Sequence, residues 1–155
     1  MALLAKVITV SDGVHDGTRE DKSGAALEAR LTESGYEVVD RIVIADGIKT
    51  VGDTVRAACR GFSGLVVTTG GTGFGPRDLT PEGTRAVLDR EAPGLAEAMR
   101  LASPLGRLSR AVAGTVGQAL ILNTPGSTKG CIETLEAVLD VVPHALELLA
   151  GDRPH

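Results

Sequence analysis

The sequence predicts a three-layer α/β/α sandwich on a mostly parallel β-sheet, with a small β-hairpin near its C-terminal end. Three observations lead there. Short apolar, β-branched runs alternate with segments whose apolar residues recur at helical spacing. Polar, glycine-bearing stretches follow the strand-like runs directly. The chain has 155 residues and is 43% hydrophobic, enough for one domain to bury a core. Residues 1–150 therefore read as one α/β domain and 151–155 as a frayed tail.

The elements follow in order. Leu3 to Val10 is apolar and β-branched, as a buried strand would be. Ser11 to Glu20 is polar and reads as a loop. Lys22 to Ser34 sets Leu27 and Leu31 on one helical face and stops before Gly35. Tyr36 to Ile44 is a strand rich in Val and Ile, broken by Ala45-Asp46-Gly47. Lys49 to Arg60 aligns Val51, Val55 and Ala58 on a helix. Leu65 to Thr69 is a short buried strand, and Gly70 to Leu79 a glycine-rich loop. Thr80 is expected to cap a helix that has Pro81 in its first turn and carries Val87 and Leu88. Pro93-Gly94 precedes a helix over Leu95 to Ala102. Leu108 to Asn123 reads as two short strands broken near Gly117-Gln118, the predicted hairpin. Ser127 or Thr128 then caps a last helical stretch, which Pro143 kinks or restarts.

Composition narrows the function. The formal net charge is -4, with no basic run, so electrostatic capture of nucleic acid or of an anionic membrane is not favoured. Aromatic residues are 2% of the chain, too few for platforms that stack bases. Cys59 and Cys131 are far apart and form no CxxC, which argues against structural zinc. The first ten residues lack the pattern of a signal peptide, and no apolar run has membrane-spanning length. A soluble, cytoplasmic protein is expected.

The chemistry-bearing residues fall after strands, where a parallel sheet opens its ligand crevice. Gly70-Gly71-Thr72-Gly73 joins a buried strand to a helix, so its backbone can approach a ligand closely and turn N–H groups towards an anion. Arg77 could grip a phosphate in bidentate fashion. Asp78 could hold Mg²⁺, which takes one or two carboxylates alongside phosphate oxygens. The run is neither a Walker A loop nor GxGxxG, and a tight structural turn remains the alternative. A second strand-to-helix loop, Asn123 to Lys129, offers a helix start and the Lys129 point charge. Two such loops at one sheet edge fit a substrate with several phosphates, or two phosphorylated substrates. Asp46, and likewise Ser11-Asp12, stand at the same edge, although Asp46-Gly47 also fits simple turn chemistry. His15 and His144 have no companions at metal-ligand spacing.

Val10-Ser11-Asp12, Gly70 to Gly73 with Arg77-Asp78 and Thr80-Pro81-Glu82, Asp89-Arg90-Glu91 with Pro93-Gly94, Ser109-Arg110 with Ala113-Gly114, and Asn123 to Gly126 together resemble the MogA/MoaB family of molybdenum-cofactor biosynthesis. The G domain of gephyrin is similar. The resemblance covers nearly the whole chain in order. It implies an α/β/α fold, a homotrimer, and adenylyl transfer from Mg-ATP to molybdopterin. It places the two required carboxylates, as catalytic and Mg²⁺-binding residues, on Asp46 and Asp78. It places Ser11, Asp12, Gly70, Gly71, Thr72, Gly73, Arg77, Thr80 and Glu82 around the nucleotide, its phosphates and the metal. Ser109, Asn123, Pro125, Gly126 and Lys129 fall near the pterin or its phosphate. A molybdenum-insertion enzyme is an implied partner. Ala45-Asp46-Gly47 keeps the aspartate but lacks the neighbouring carboxylate common in the enzymes, and Ser109 to Gly114 looks more like the MoaB type. The alternative is thus a non-catalytic, MoaB-like molybdopterin carrier.

Overall fold

The structure is a computed structural model that describes residues 2–151. Six strands form one mixed sheet in the order β2-β1-β3-β6-β5-β4. They are β1 (Leu3–Val10), β2 (Tyr36–Ile44), β3 (Leu65–Thr69), β4 (Arg90–Glu91), β5 (Ala113–Val116) and β6 (Ala119–Thr124). The first four in spatial order, β2, β1, β3 and β6, run parallel; β5 and β4 close the sheet antiparallel. The helices are α1 (Asp12–His15), α2 (Lys22–Glu33), α3 (Ile48–Cys59), α4 (Thr80–Arg85), α5 (Pro93–Arg100), α6 (Thr128–Glu136) and α7 (Val142–Leu149), with a 3₁₀ turn over Pro104–Leu108.

Strand alternation divides the core between two faces. Val7, Val67 and Leu122 lie in register across three strands and point to one face, with Leu27, Leu31, Cys131, Leu135 and Val142 packed over them. That face carries α2, α5, α6 and α7. Ile8, Val66 and Ile121 face the other way, onto Val51, Val55, Ala58 and Cys59 of α3. The two clusters sandwich the sheet, which is the predicted α/β/α layering. Strands buried on both faces read as unbroken apolar runs, as Leu65-Val66-Val67 and Ala119 to Leu122 do.

The structure corrects several details of the reading. The loop after β1 contains one helical turn, α1, capped by Ser11 Oγ, which accepts from the Val14 amide at 3.2 Å. Leu79, not Thr80, is the N-cap of α4; Thr80 and Pro81 are already helical, and Pro81 fits there because a first-turn amide has no intrahelical partner. That helix ends at Arg85, so Val87 and Leu88 lie beyond it. The chain turns there because the Asp89 amide must reach Thr115 O at 2.8 Å to start the edge strand β4, which the sequence reading did not include. Pro93 begins α5 instead of preceding it. The hairpin is β5–β6, but Leu108 ends the 3₁₀ turn and the first strand starts only at Ala113. Ser127 is the cap of α6, accepting from the Gly130 amide at 3.0 Å, and Pro143 restarts the chain as α7. Of the expected tail, Gly151 is a turn and residues 152–155 lie outside the described residues. Among the described residues no helix is long and apolar enough to cross a membrane.

Candidate active site

At the carboxyl ends of the parallel strands, Thr9, Thr69 and Thr124 align in one row. Two of their hydroxyls tie the strand ends to the segments above. Thr9 Oγ1 donates to Asp21 Oδ1 at 2.9 Å, and Thr69 Oγ1 donates to Pro125 O at 2.8 Å. The glycine-rich loop then crosses the end of β1. Gly70 has φ +104°, and a Cβ there would lie 2.2 Å from Val10 O. Gly71 has φ +70°, and its Cβ would lie 2.3 Å from Thr80 Oγ1 and 3.1 Å from Asp46 Oδ1. Only glycine combines a positive φ with such close approach.

This crossing brings Asp12, Asp46 and Asp78 to one edge. The Asp12 and Asp46 carboxylates each accept from the other residue's amide. Asp78 Oδ2 accepts from the Gly75 amide at 2.9 Å. Burial pushes the Asp46 carboxyl above its ordinary value, and the charges of Asp12 and Asp78 push the same way against the Asp12 amide bond. The Asp12 carboxyl is held below its ordinary value, chiefly by Arg77.

Two cavities meet here. The larger, of about 740 Å³, is walled by Met99, Ala102, Pro104, Leu105 and Leu108 on one side and by the two loops on the other. The smaller, of about 490 Å³, is more polar and is lined by Ser11, Arg19, Lys22, Ser23, Asp46 and Thr128 among others. Gly71, Asp78, Gly126 and Ser127 line both, so Asp78 stands at the junction.

Among the residues singled out in the sequence, Thr72, Gly73, Ser109, Pro125 and Lys129 line the larger cavity. Ser11, Asp46 and Gly70 line the smaller. Asp12, Arg77, Thr80, Glu82 and Asn123 line neither cavity. Asn123 is 0% exposed; its amide donates to Thr68 and Thr84 hydroxyls at 2.9 and 3.1 Å and accepts from the Val112 amide at 3.2 Å. It joins strand, helix and hairpin. Thr80 is buried below Gly71, its hydroxyl without a partner among the described residues. Glu82 accepts from Arg110 Nη1 at 2.6 Å, and that guanidinium holds its carboxyl below the ordinary range. Arg77, expected on a phosphate, instead grips Asp12 through two bonds of 2.7 and 3.1 Å and reaches Asp46 O at 3.0 Å.

The sequence reading missed Arg19 and Lys22, the cations of the smaller cavity, and the structural weight of Arg110. Scattered basic residues in an acidic chain give no linear signal; only the fold gathers them.

The donor set fits a magnesium ion shared with a phosphorylated substrate. Among the described residues no group of three or more His, Cys, Asp or Glu side chains could enclose a metal. Asp46 and Asp78 both line the smaller cavity, and two carboxylates leave room for phosphate oxygens and water, the usual habit of Mg²⁺.

Residues 6–144 match the family described as a probable molybdopterin binding domain. The chain belongs to this family. The match begins within β1 and ends within α7, so every loop around the two cavities of this molybdopterin-binding family member lies inside it. The molybdopterin adenylyltransferase of Helicobacter pylori strain J99 is 37% identical over 153 residues, spanning 94% of this chain and 87% of that protein. The molybdopterin adenylyltransferase of Escherichia coli K12 is 39% identical over 165 residues, spanning 94% of this chain and 84% of that protein. The crystal structure of the molybdopterin biosynthesis enzyme MoaB from Thermus thermophilus superposes with a TM-score of 0.90 at 46% identity, covering 97% of this chain and 98% of that one.

Proposed function

We propose that this family member is a molybdopterin adenylyltransferase of molybdenum cofactor biosynthesis, acting in the cytoplasm as a single-domain subunit of a homotrimer. The observation that carries the reading is the junction of the two cavities at Asp78, with Asp46 beside it. The curated relatives support it, since both carry that activity in their names across most of their length.

The larger cavity suits the pterin: an apolar wall for the ring system, with Ser109 and Lys129 for its terminal phosphate. The smaller cavity suits the nucleotide phosphates, with Arg19 and Lys22 as counter-charges and the amides of the glycine loop as donors. A phosphate oxygen of molybdopterin forms a bond to the α-phosphorus of ATP, the bond to the bridging oxygen breaks, and pyrophosphate leaves. The nucleophile is already ionised, so no general base is required, and of the described residues neither His15 nor His144 lines either cavity. Mg²⁺ bound by Asp46 and Asp78 would neutralise charge on the phosphates brought together. The residues of the chain do the rest: the glycine loop holds the reacting phosphates at contact distance, and Arg77, donating to Asp46 O, ties that loop to the turn after β2. The product is passed on to a molybdenum-inserting enzyme.

Pyrophosphate release from Mg-ATP in the presence of molybdopterin tests the reading. It is expected for the wild type and should fall by about 10²-fold or more in Asp78→Asn. Molybdopterin bound by well-folded wild type without any release would leave the carrier reading instead, in which the smaller cavity and its aspartate pair have no task.

A further inference from the structure

We infer that Arg110 is a positioning residue that fixes the Asp78 loop against the wall of the larger cavity; the inference rests on the placement of Asp78 in the site. Its backbone amide donates to Thr72 O at 2.8 Å. Its guanidinium then spans the loop: Nε donates to Gly73 O at 2.7 Å, Nη2 to Asp78 O at 2.5 Å and Nη1 to Glu82 Oε2 at 2.6 Å. One side chain thus joins the start of the glycine loop, the carbonyl of the junction aspartate and the first turn of α4. The planar fork of arginine donates from three separate nitrogens and so reaches three acceptors spread along the loop, whereas a lysine ammonium has its three donors on one atom.

Apart from Arg110, the stretch is tied outward by Arg77, which bonds Asp12 and Asp46 O. Phe74 is 70% exposed, and within the turn Gly75 and Asp78 bond mainly to each other. Arg110 also stands between Ser109 and Ala111, both of which line the larger cavity. A ligand pressing on that wall therefore acts on the same residue that sets the position of Asp78. Arg110 lines neither cavity itself, so its effect passes through Asp78.

The test compares Arg110→Met, Arg110→Lys, Glu82→Gln and Asp78→Asn in the full chain. Amide hydrogen exchange of residues 73–79 is read first, in protein free of metal and nucleotide. Arg110→Met should exchange about tenfold faster there while α2 and β3 stay unchanged, and Arg110→Lys should lie between it and wild type. The Mg²⁺ concentration giving half-maximal pyrophosphate release should rise about tenfold in Arg110→Met, with molybdopterin affinity within about threefold of wild type. Glu82→Gln keeps both carbonyl contacts and should shift both readings less; it decides the matter if Arg110→Met does not fold. Unchanged exchange over 73–79, or unchanged Mg²⁺ dependence in a folded variant, would overturn the inference. Should Asp78→Asn keep wild-type Mg²⁺ dependence, the site itself is misplaced and the role of Arg110 falls with it. Should Asp78→Asn lose it while Arg110→Met does not, the role of Arg110 alone falls.

Discussion

Asp12 and Asp46 hold each other by reciprocal hydrogen bonds, the Asp12 amide donating to Asp46 Oδ2 at 3.0 Å and the Asp46 amide to Asp12 Oδ1 at 3.1 Å. The pair locks the turn after β1 to the turn after β2. It also fixes one carboxylate beside a second at the cost of burying it, and the consequences can be measured.

Asp46→Asn should stabilise the metal-free protein at neutral pH while lowering turnover. The folded protein holds this carboxyl above its ordinary value of 3.8, first by burial and then by Asp12 and Asp78. A group raised in this way gives up stability as the pH rises through its folded value. Removing the charge restores that stability above the value, and the gain narrows as the pH falls towards the ordinary one. Thermal melts of both proteins between about pH 4 and 8 check the sign. Pyrophosphate release should drop by about 10²-fold.

Arg77→Met should leave the melting temperature nearly unchanged, because its side chain is 62% exposed and surface ion pairs contribute little. Its effect should appear in substrate use. Arg77 sits on Asp12 beside the smaller cavity and can exchange that partner for a phosphate, so KM for Mg-ATP should rise by about tenfold with a smaller change in kcat. An unchanged KM would confine Arg77 to holding Asp12.

Asn123→Ala should damage the fold more than the chemistry. Three hydrogen bonds deep in the sheet lose their centre, and the Val112 amide and two threonine hydroxyls lose a partner. The cost should be about 2–4 kcal/mol. That corresponds to a fall of about 5–10 °C in melting temperature for a chain of this size. Calorimetry checks it; a melt within about a degree of wild type would show that water replaces the amide.

The two adjacent glycines should respond differently to alanine. In Gly70→Ala the added carbon meets Val10 O, a backbone atom that cannot yield, so the loss is mainly of stability, about 1–3 kcal/mol or more. In Gly71→Ala it meets the buried Thr80 hydroxyl and the Asp46 carboxylate at a φ of +70°, so nucleotide use should fall in addition to a loss of stability. Paired melts and Mg-ATP kinetics separate the two.

The sandwich was legible because its central strands β3 and β6 are buried on both faces, and Leu65 to Thr69 and Ala119 to Asn123 therefore carry no polar interruption before their ends. The glycine loop was legible because glycines directly after a buried strand mark a tight turn or a close approach, and Gly70 and Gly71 combine both. The start of the hairpin was hidden because Leu108 and Ala111-Val112 run on into the apolar strand, yet Leu108 ends a 3₁₀ turn and Arg110 crosses to Thr72. The edge strand β4 was invisible since Arg90-Glu91 owes its conformation to β5 rather than to its own side chains. Asn123 resembled a site residue because it follows a strand-end pattern, and only the packing shows its amide turned inward. Arg110 left no signal in spacing, since its acceptors are 28 to 37 residues away.

The larger cavity owes its outer wall to the excursion between β4 and β5, where Leu101, Leu105 and Leu108 stand largely open to water. That excursion contributes no strand to the parallel half of the sheet and none of the three aspartates. Sequence change can accumulate at these exposed leucines without disturbing the aspartates, or Arg110, which ties the end of the excursion to the glycine loop. The outer wall of the larger cavity and the aspartate frame are thereby carried on separate stretches of chain, joined where Arg110 crosses to the glycine loop, so the shape of the wall can vary while the frame keeps its form.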